Sequence, residues 1–165
     1  MRFTGRCWKF GDNIPTDRLV KSRYVFEPME EIVKHVLEDL NPAFPHDVRP
    51  GDIVVAGRHF GQSSGRAIAT KALQATGIGC VVADTVARTF YRNCFEIGLP
   101  ALALGGVTSL VSDGDTVAVD IATGGFHNLT TGENRTGTPA DPFLLEMLRA
   151  GGLIKLAAQR GDLFE

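Results

Sequence analysis

The chain has 165 residues, 44% hydrophobic and 22% charged, which suits one globular domain with a real core rather than two independent ones. Its formal net charge of −2, with no basic block or stripe, argues against nucleic acid as a partner, because phosphate binding needs clustered Lys and Arg. No apolar run approaches the roughly 18–20 residues of a membrane span, and the opening MRFTGRCWKFGDN has no signal-type apolar segment, so neither membrane nor export is expected.

Along the chain, residues 2–10 read as a strand followed by a Gly-Asp-Asn turn. Pro28 then opens a helical pattern over 29–40, with Met29, Ile32, Val33, Val36, Leu37 and Leu40 at helical spacing. The stretch 41–50 contains Pro42, Pro45 and Pro50 and reads as a surface connection. An alternating α/β section follows: strands over 53–56, 80–83 and 101–104, and helices over 66–76 and 86–97 that stop at Gly77 and Gly98. That alternation implies parallel pairing with right-handed crossovers. Residues 116–121 alternate like a strand and pair with 126–129 across a Thr-Gly-Gly turn, and helices over 142–149 and 153–159 close the chain.

The three cysteines, Cys7, Cys80 and Cys94, are far apart and form no CxxC pair. They signal neither a disulfide framework nor a metal site, and a reduced, cytoplasmic protein is expected. His35, His46, His59 and His127 also lack ligand spacing, and no P-loop is present.

The segment VVAGRHFGQSSGRAIATKAL is the richest in chemical signal. A buried strand runs into a loop containing Gly57, Gly61 and Gly65, and a helix begins near Arg66. Loops at the carboxyl ends of parallel strands are the usual ligand sites of such sheets. A helix N-terminus offers unpaired N–H groups and partial positive charge, and Ser63, Ser64 and Arg66 add hydroxyls and a bidentate anion clamp. The plainer alternative is a Ser helix cap beside a solvated Arg. Gly61-Gln62-Ser63-Ser64-Gly65 also has GxSxG spacing, which would make Ser63 a hydrolase nucleophile with His127 and one of Asp113, Asp115 or Asp120. The strand, however, ends several residues too early for that sharp turn.

At this loop the sequence resembles the small subunits of 3-isopropylmalate dehydratase and homoaconitase, equivalent to the swivelling last domain of aconitase. GDNIPTD (11–17), Arg23-Tyr24-Val25-Phe26, PGDIVVAGRHFG (50–61), ARTFYRNCFEIGLP (87–100), NLTTG (128–132) and LLEMLRAGGLI (144–154) look like family segments in the right order. The resemblance implies an α/β fold, a three-layer β/β/α swivelling domain spanning 1–165. The family loop usually reads GCGSSREHA. Aligned without gaps, Ser64 falls on the catalytic-base Ser and Arg66 on the carboxylate-binding Arg. Gln62 replaces the Cys, Gly65 the second Ser, and Ala67-Ile68 the Glu-His pair.

The resemblance further implies reversible dehydration of a 2-hydroxy acid of the alkylmalate type, with Ser64 and Asp17 catalytic. Arg66, Gly65, Ser63, Val25 and Phe26 would bind substrate, Phe26 walling the alkyl group while Glu27 repels a third carboxylate. The Lewis acid would be a [4Fe–4S] cluster held by a large partner subunit, with no cofactor bound by this chain. Activity would then require that heteromer. A non-catalytic homologue that binds a carboxylate or regulates a partner is the alternative, motivated by the lost Ser and Glu-His. Arg88 and Arg92, one turn apart, are assigned to the surface or the partner interface, with a place facing the substrate as the alternative.

Overall fold

The computed structural model describes residues 1–161. The all-apolar runs become the centre of a sheet. β2 (Ile53–Ala56) and β3 (Cys80–Ala83) are buried at every position, as strands covered on both faces must be. They pair in parallel with each other, with β1 (Arg2–Lys9) and with β4 (Ala101–Ala103). A second, antiparallel half runs through β5 (Thr116–Asp120), β6 (Gly125–Asn128) and β7 (Asn134–Thr136), giving the order β4-β3-β2-β1-β5-β6-β7. β1 serves both halves: Arg2–Arg6 face β5 and Cys7–Lys9 face β2. β7 was not anticipated; its side chains are all exposed, so it carries no hydrophobic alternation to read.

The helical layer comprises α4 (Ala67–Ala75), α5 (Arg88–Ile97), α6 (Pro142–Ala150) and α7 (Leu153–Arg160). α5 packs against the other three. With the curled seven-stranded sheet these helices form the α/β, β/β/α architecture the resemblance implies. One continuous apolar core joins the layers, anchored by the fully buried Trp8, Phe44, Phe60, Phe90 and Phe95. Asp52, buried beside it, accepts hydrogen bonds at one carboxylate oxygen from both Trp8 Nε1 (2.8 Å) and the Arg49 N–H (2.9 Å), which ties β1 to the turn before β2.

Two expectations need correction. The 29–40 helix is broken: α2 covers only Met29–Ile32 and a single 3-10 turn spans Val33–His35, leaving Val36 extended and Leu37 at φ 57°. A left-handed Leu costs about 1–2 kcal/mol, but the bend fully buries Val36 and Leu37, each worth about 1.5–3 kcal/mol. It also lets the Leu37 N–H donate to the Leu19 carbonyl (3.0 Å). The proline-rich stretch is likewise no plain surface connection. It carries α3 (Phe44–Asp47), with Pro45 in its first turn, and Phe44 meets the edges of Trp8 and Phe10 at 5.1 and 5.8 Å.

Candidate active site

Two motif segments close on each other through main-chain hydrogen bonds that extend the parallel order past the strand ends. The Gly57 N–H donates to Gly11 (3.0 Å), Asn13 to Arg58 (2.7 Å), Gly61 to Ile14 (2.8 Å) and Thr16 to Gln62 (3.0 Å). On the other side Phe60 donates to Thr85 (3.0 Å) and Ala87 to Phe60 (2.8 Å). Asp12 accepts from the Arg58 N–H and forks its guanidinium, and these bonds hold its carboxyl below the usual range. Gly61 has φ 76°, and a Cβ there would run into the Phe90 ring, so only glycine fits this crossing.

The ladder delivers α1 (Thr16–Leu19), which carries Asp17, to the loop that carries the serines. Between them lies a cleft of about 230 Å³ lined by Thr16, Asp17, Val20, Ser22, Val25, Ser63, Ser64, Arg66, Ile68 and Ala69. Of the residues singled out from sequence, Asp17, Ser63, Ser64, Arg66 and Val25 therefore meet. Ser64 Oγ accepts the Arg66 backbone N–H at 3.2 Å, so an amide dipole already points at that oxygen. Arg66 precedes the first turn of the nine-residue α4, whose leading amides lack helical partners. Ser63 sits at φ 85°, a strained conformation for a residue with a side chain.

Gly65 and Phe26 lie outside the cleft lining. Gly65 is exposed, its carbonyl accepts from Asn93 Nδ2 (3.2 Å), and a Cβ there would come within 3.2 Å of the Thr89 methyl. Phe26 is 96% exposed and walls a shallower, mainly apolar extension shared with Ser22, Val25, Arg66 and Ile68. The sequence reading missed Thr16, Val20, Ser22, Ile68 and Ala69 as lining residues. Thr16 and Ser22 flank positions already singled out, while Val20, Ile68 and Ala69 carry only the signature of core residues. Arg88 and Arg92 are exposed on α5 and do not line the cleft.

The stretch carrying Val25 is clamped from outside. The Tyr24 ring stacks on His35 at 3.9 Å, and Arg23 lies over the Tyr24 ring at 4.8 Å. Glu38 receives Lys21 (2.8 Å) and His35 Nδ1 (2.7 Å). Burial alone would raise the Glu38 carboxyl, but the bonds from Lys21 and His35, with their charges, outweigh it and hold it below the usual range.

The GxSxG arrangement is not assembled. Ser63 lies seven residues past the end of β2, and His127 lines a separate cleft on the antiparallel half with Arg2 and Asp120. Cys7, Cys80 and Cys94 are free and buried on β1, β3 and α5; burial, with Asp113 and Asp115 nearby, pushes the Cys7 thiol up to about 12, and burial raises the other two as well. Among the described residues no three His, Cys, Asp or Glu side chains converge to hold a metal, so this chain's own thiols do not fit a cluster. No described helix is long and apolar enough to cross a membrane.

Residues 19–105 match the family model of the aconitase C-terminal domain, which sets the class of the fold. The 3-isopropylmalate dehydratase small subunit of Nautilia profundicola is 46% identical over 157 residues, covering 94% of each chain. The isopropylmalate/citramalate isomerase small subunit of Methanocaldococcus jannaschii is 44% identical over 151 residues, 91% of this chain and 90% of its own. The crystal structure of a 3-isopropylmalate dehydratase from Methanocaldococcus jannaschii superposes with a TM-score of 0.91 at 31% identity, covering 98% of this chain and 96% of that one. The chain belongs to the 3-isopropylmalate dehydratase small-subunit family.

Proposed function

We propose that this chain is a single cluster-free domain acting as the small subunit of a heteromeric hydro-lyase that dehydrates and rehydrates an alkylmalate. The observation that carries this reading is the cleft in which Asp17, Ser64 and Arg66 converge beside an apolar side made by Val20, Val25, Ile68 and Ala69. A malate with an alkyl branch has that same division: carboxylates at its ends and an apolar substituent between.

Ser64 Oγ is the base. An alcohol is a very weak base in water, so the alkoxide needs concentrated positive potential and little water. The Arg66 N–H at its oxygen, the Arg66 guanidinium and the leading amides of α4 supply that potential. Arg66 binds a substrate carboxylate bidentately, and Ser63 completes the anion site. Asp17, held opposite by the ladder, orients substrate and serine through hydrogen bonds. Val25 receives the alkyl side, with Phe26 on the outer extension of the cleft. A [4Fe–4S] cluster on the large partner subunit would supply the Lewis acid that loss of hydroxide needs, and no residue of this chain would hold it. Free, buried thiols suit a cytoplasmic setting.

Mixing the chain anaerobically with its cluster-loaded large subunit tests the reading. Dehydration of isopropylmalate is expected only in the mixture, and lost when Ser64→Ala is used although the complex still assembles. A fully active Ser64→Ala complex would remove Ser64 as base, leaving the chain a carboxylate-binding or regulatory subunit.

A further inference from the structure

The cleft and its shallower extension share four residues: Ser22, Val25, Arg66 and Ile68. These four therefore ring the passage between the two spaces. Two of them are polar and two apolar, and Phe26 lies only on the outer side. From this geometry we infer that Ile68, which lines both spaces together with Val25, sets which alkyl group the site accepts, and so is the specificity-determining residue at the start of α4, just after the loop that carries Ser64.

Ile68 is the second residue of α4, and helical Cα–Cβ bonds tilt toward the N-terminus, so its side chain leans back over the turn where Arg66 holds a carboxylate. It is half-buried and branched at Cβ, with few rotamers to choose from, and so makes a stiff wall. Ile68 has no hydrogen-bonding atom in its side chain, so this position cannot solvate a third carboxylate. A dicarboxylate anchored at Arg66 thus places a small branched alkyl group between Val25 and Ile68. A longer substituent must pass through the ring toward Phe26. The residue just before Ile68 is Ala67, whose methyl leaves that side of the turn free of competing polar groups.

This inference rests on the alkylmalate reading, and the test separates the two. The reconstituted heteromer is assayed for kcat/KM on a malate bearing an isopropyl group and one bearing a methyl group. Ile68→Ala should reduce the isopropyl-to-methyl preference about 10- to 100-fold, mostly on the isopropyl substrate, as expected when an apolar pocket is stripped of the methyl groups that line it. Ile68→Phe should block the ring and lower isopropyl turnover while sparing the methyl substrate. Phe26→Ala should move the ratio less than Ile68→Ala does. Unfolding temperatures of the small subunits, measured alongside, show that the variants are folded. If both Ile68 variants change the two substrates equally, or if Phe26→Ala moves the ratio more, the assignment of Ile68 is overturned while the alkylmalate reading stands. A wild-type heteromer that turns over neither substrate removes both.

Discussion

Ser64 has the basicity of an ordinary alcohol, so whatever makes it useful must come from its neighbours. Its Oγ already accepts an amide N–H, and the guanidinium of Arg66 belongs to the same turn. Ser64→Ala should therefore lower kcat of the heteromer by about 10²–10⁴-fold, the range for losing a positioned base, with the fold unchanged. Ser63→Ala should cost far less, and a fluorophosphonate should not label Ser63, because no histidine of the described chain lines its cleft. Covalent labelling at Ser63 would restore the hydrolase reading. Arg66→Lys keeps the charge but loses the fork, so KM for the dicarboxylate should rise about tenfold or more with a smaller change in kcat. That Ser64 and Arg66 line one cleft could be read from sequence, because loop spacing and residue type single them out. Ile68 could not, since an isoleucine opening a helix looks like any core residue until the fold shows what it faces.

At the scale of elements, the ladder between 11–16 and 57–62 decides whether the site exists. Gly61→Ala adds a methyl against the Phe90 ring at φ 76°, and should destabilise the subunit by about 2–4 kcal/mol in denaturant unfolding. Activity should fall with it, since Asp17 and Ser64 then lose their common register. The Glu38 cluster makes a pH prediction. A carboxyl held below its ordinary value in the folded state contributes stability that is present above the unfolded value and lost as pH falls through the folded one. The segment 21–38 should therefore loosen first on acidification below the ordinary glutamate range, seen as rising hydrogen exchange there. In Glu38→Gln that acid-dependent step should be absent. The strands and long helices of the α/β section were readable because one periodicity dominates each. Segment 29–40 misled because its helical spacing is real, while the interactions that bend it (Leu37 to Leu19, Glu38 to Lys21) are tertiary and leave no periodic trace. Local propensity yields to such interactions routinely.

For the whole molecule, the division of labour predicts a colourless chain. After anaerobic incubation with iron and sulfide the isolated small subunit should gain neither stoichiometric iron nor absorbance near 400 nm, and should dehydrate nothing until a large subunit is added. Iron at several atoms per chain would show that thiols dispersed over β1, β3 and α5 had rearranged. The broad architecture was open to sequence reasoning because ordered family segments span nearly the whole chain; the antiparallel edge was not, because its exposed residues obey no rhythm. β1 also has a consequence for the order of assembly. Cys7–Lys9 find their partner as soon as residues 53–55 exist, whereas Arg2–Arg6 must wait for 116–120. At about 5–20 residues per second of translation, one half of a single strand is satisfied several seconds before the other. A nascent chain thus carries an open row of amides and carbonyls over residues 2–6, exposed to any passing strand, until β5 closes it.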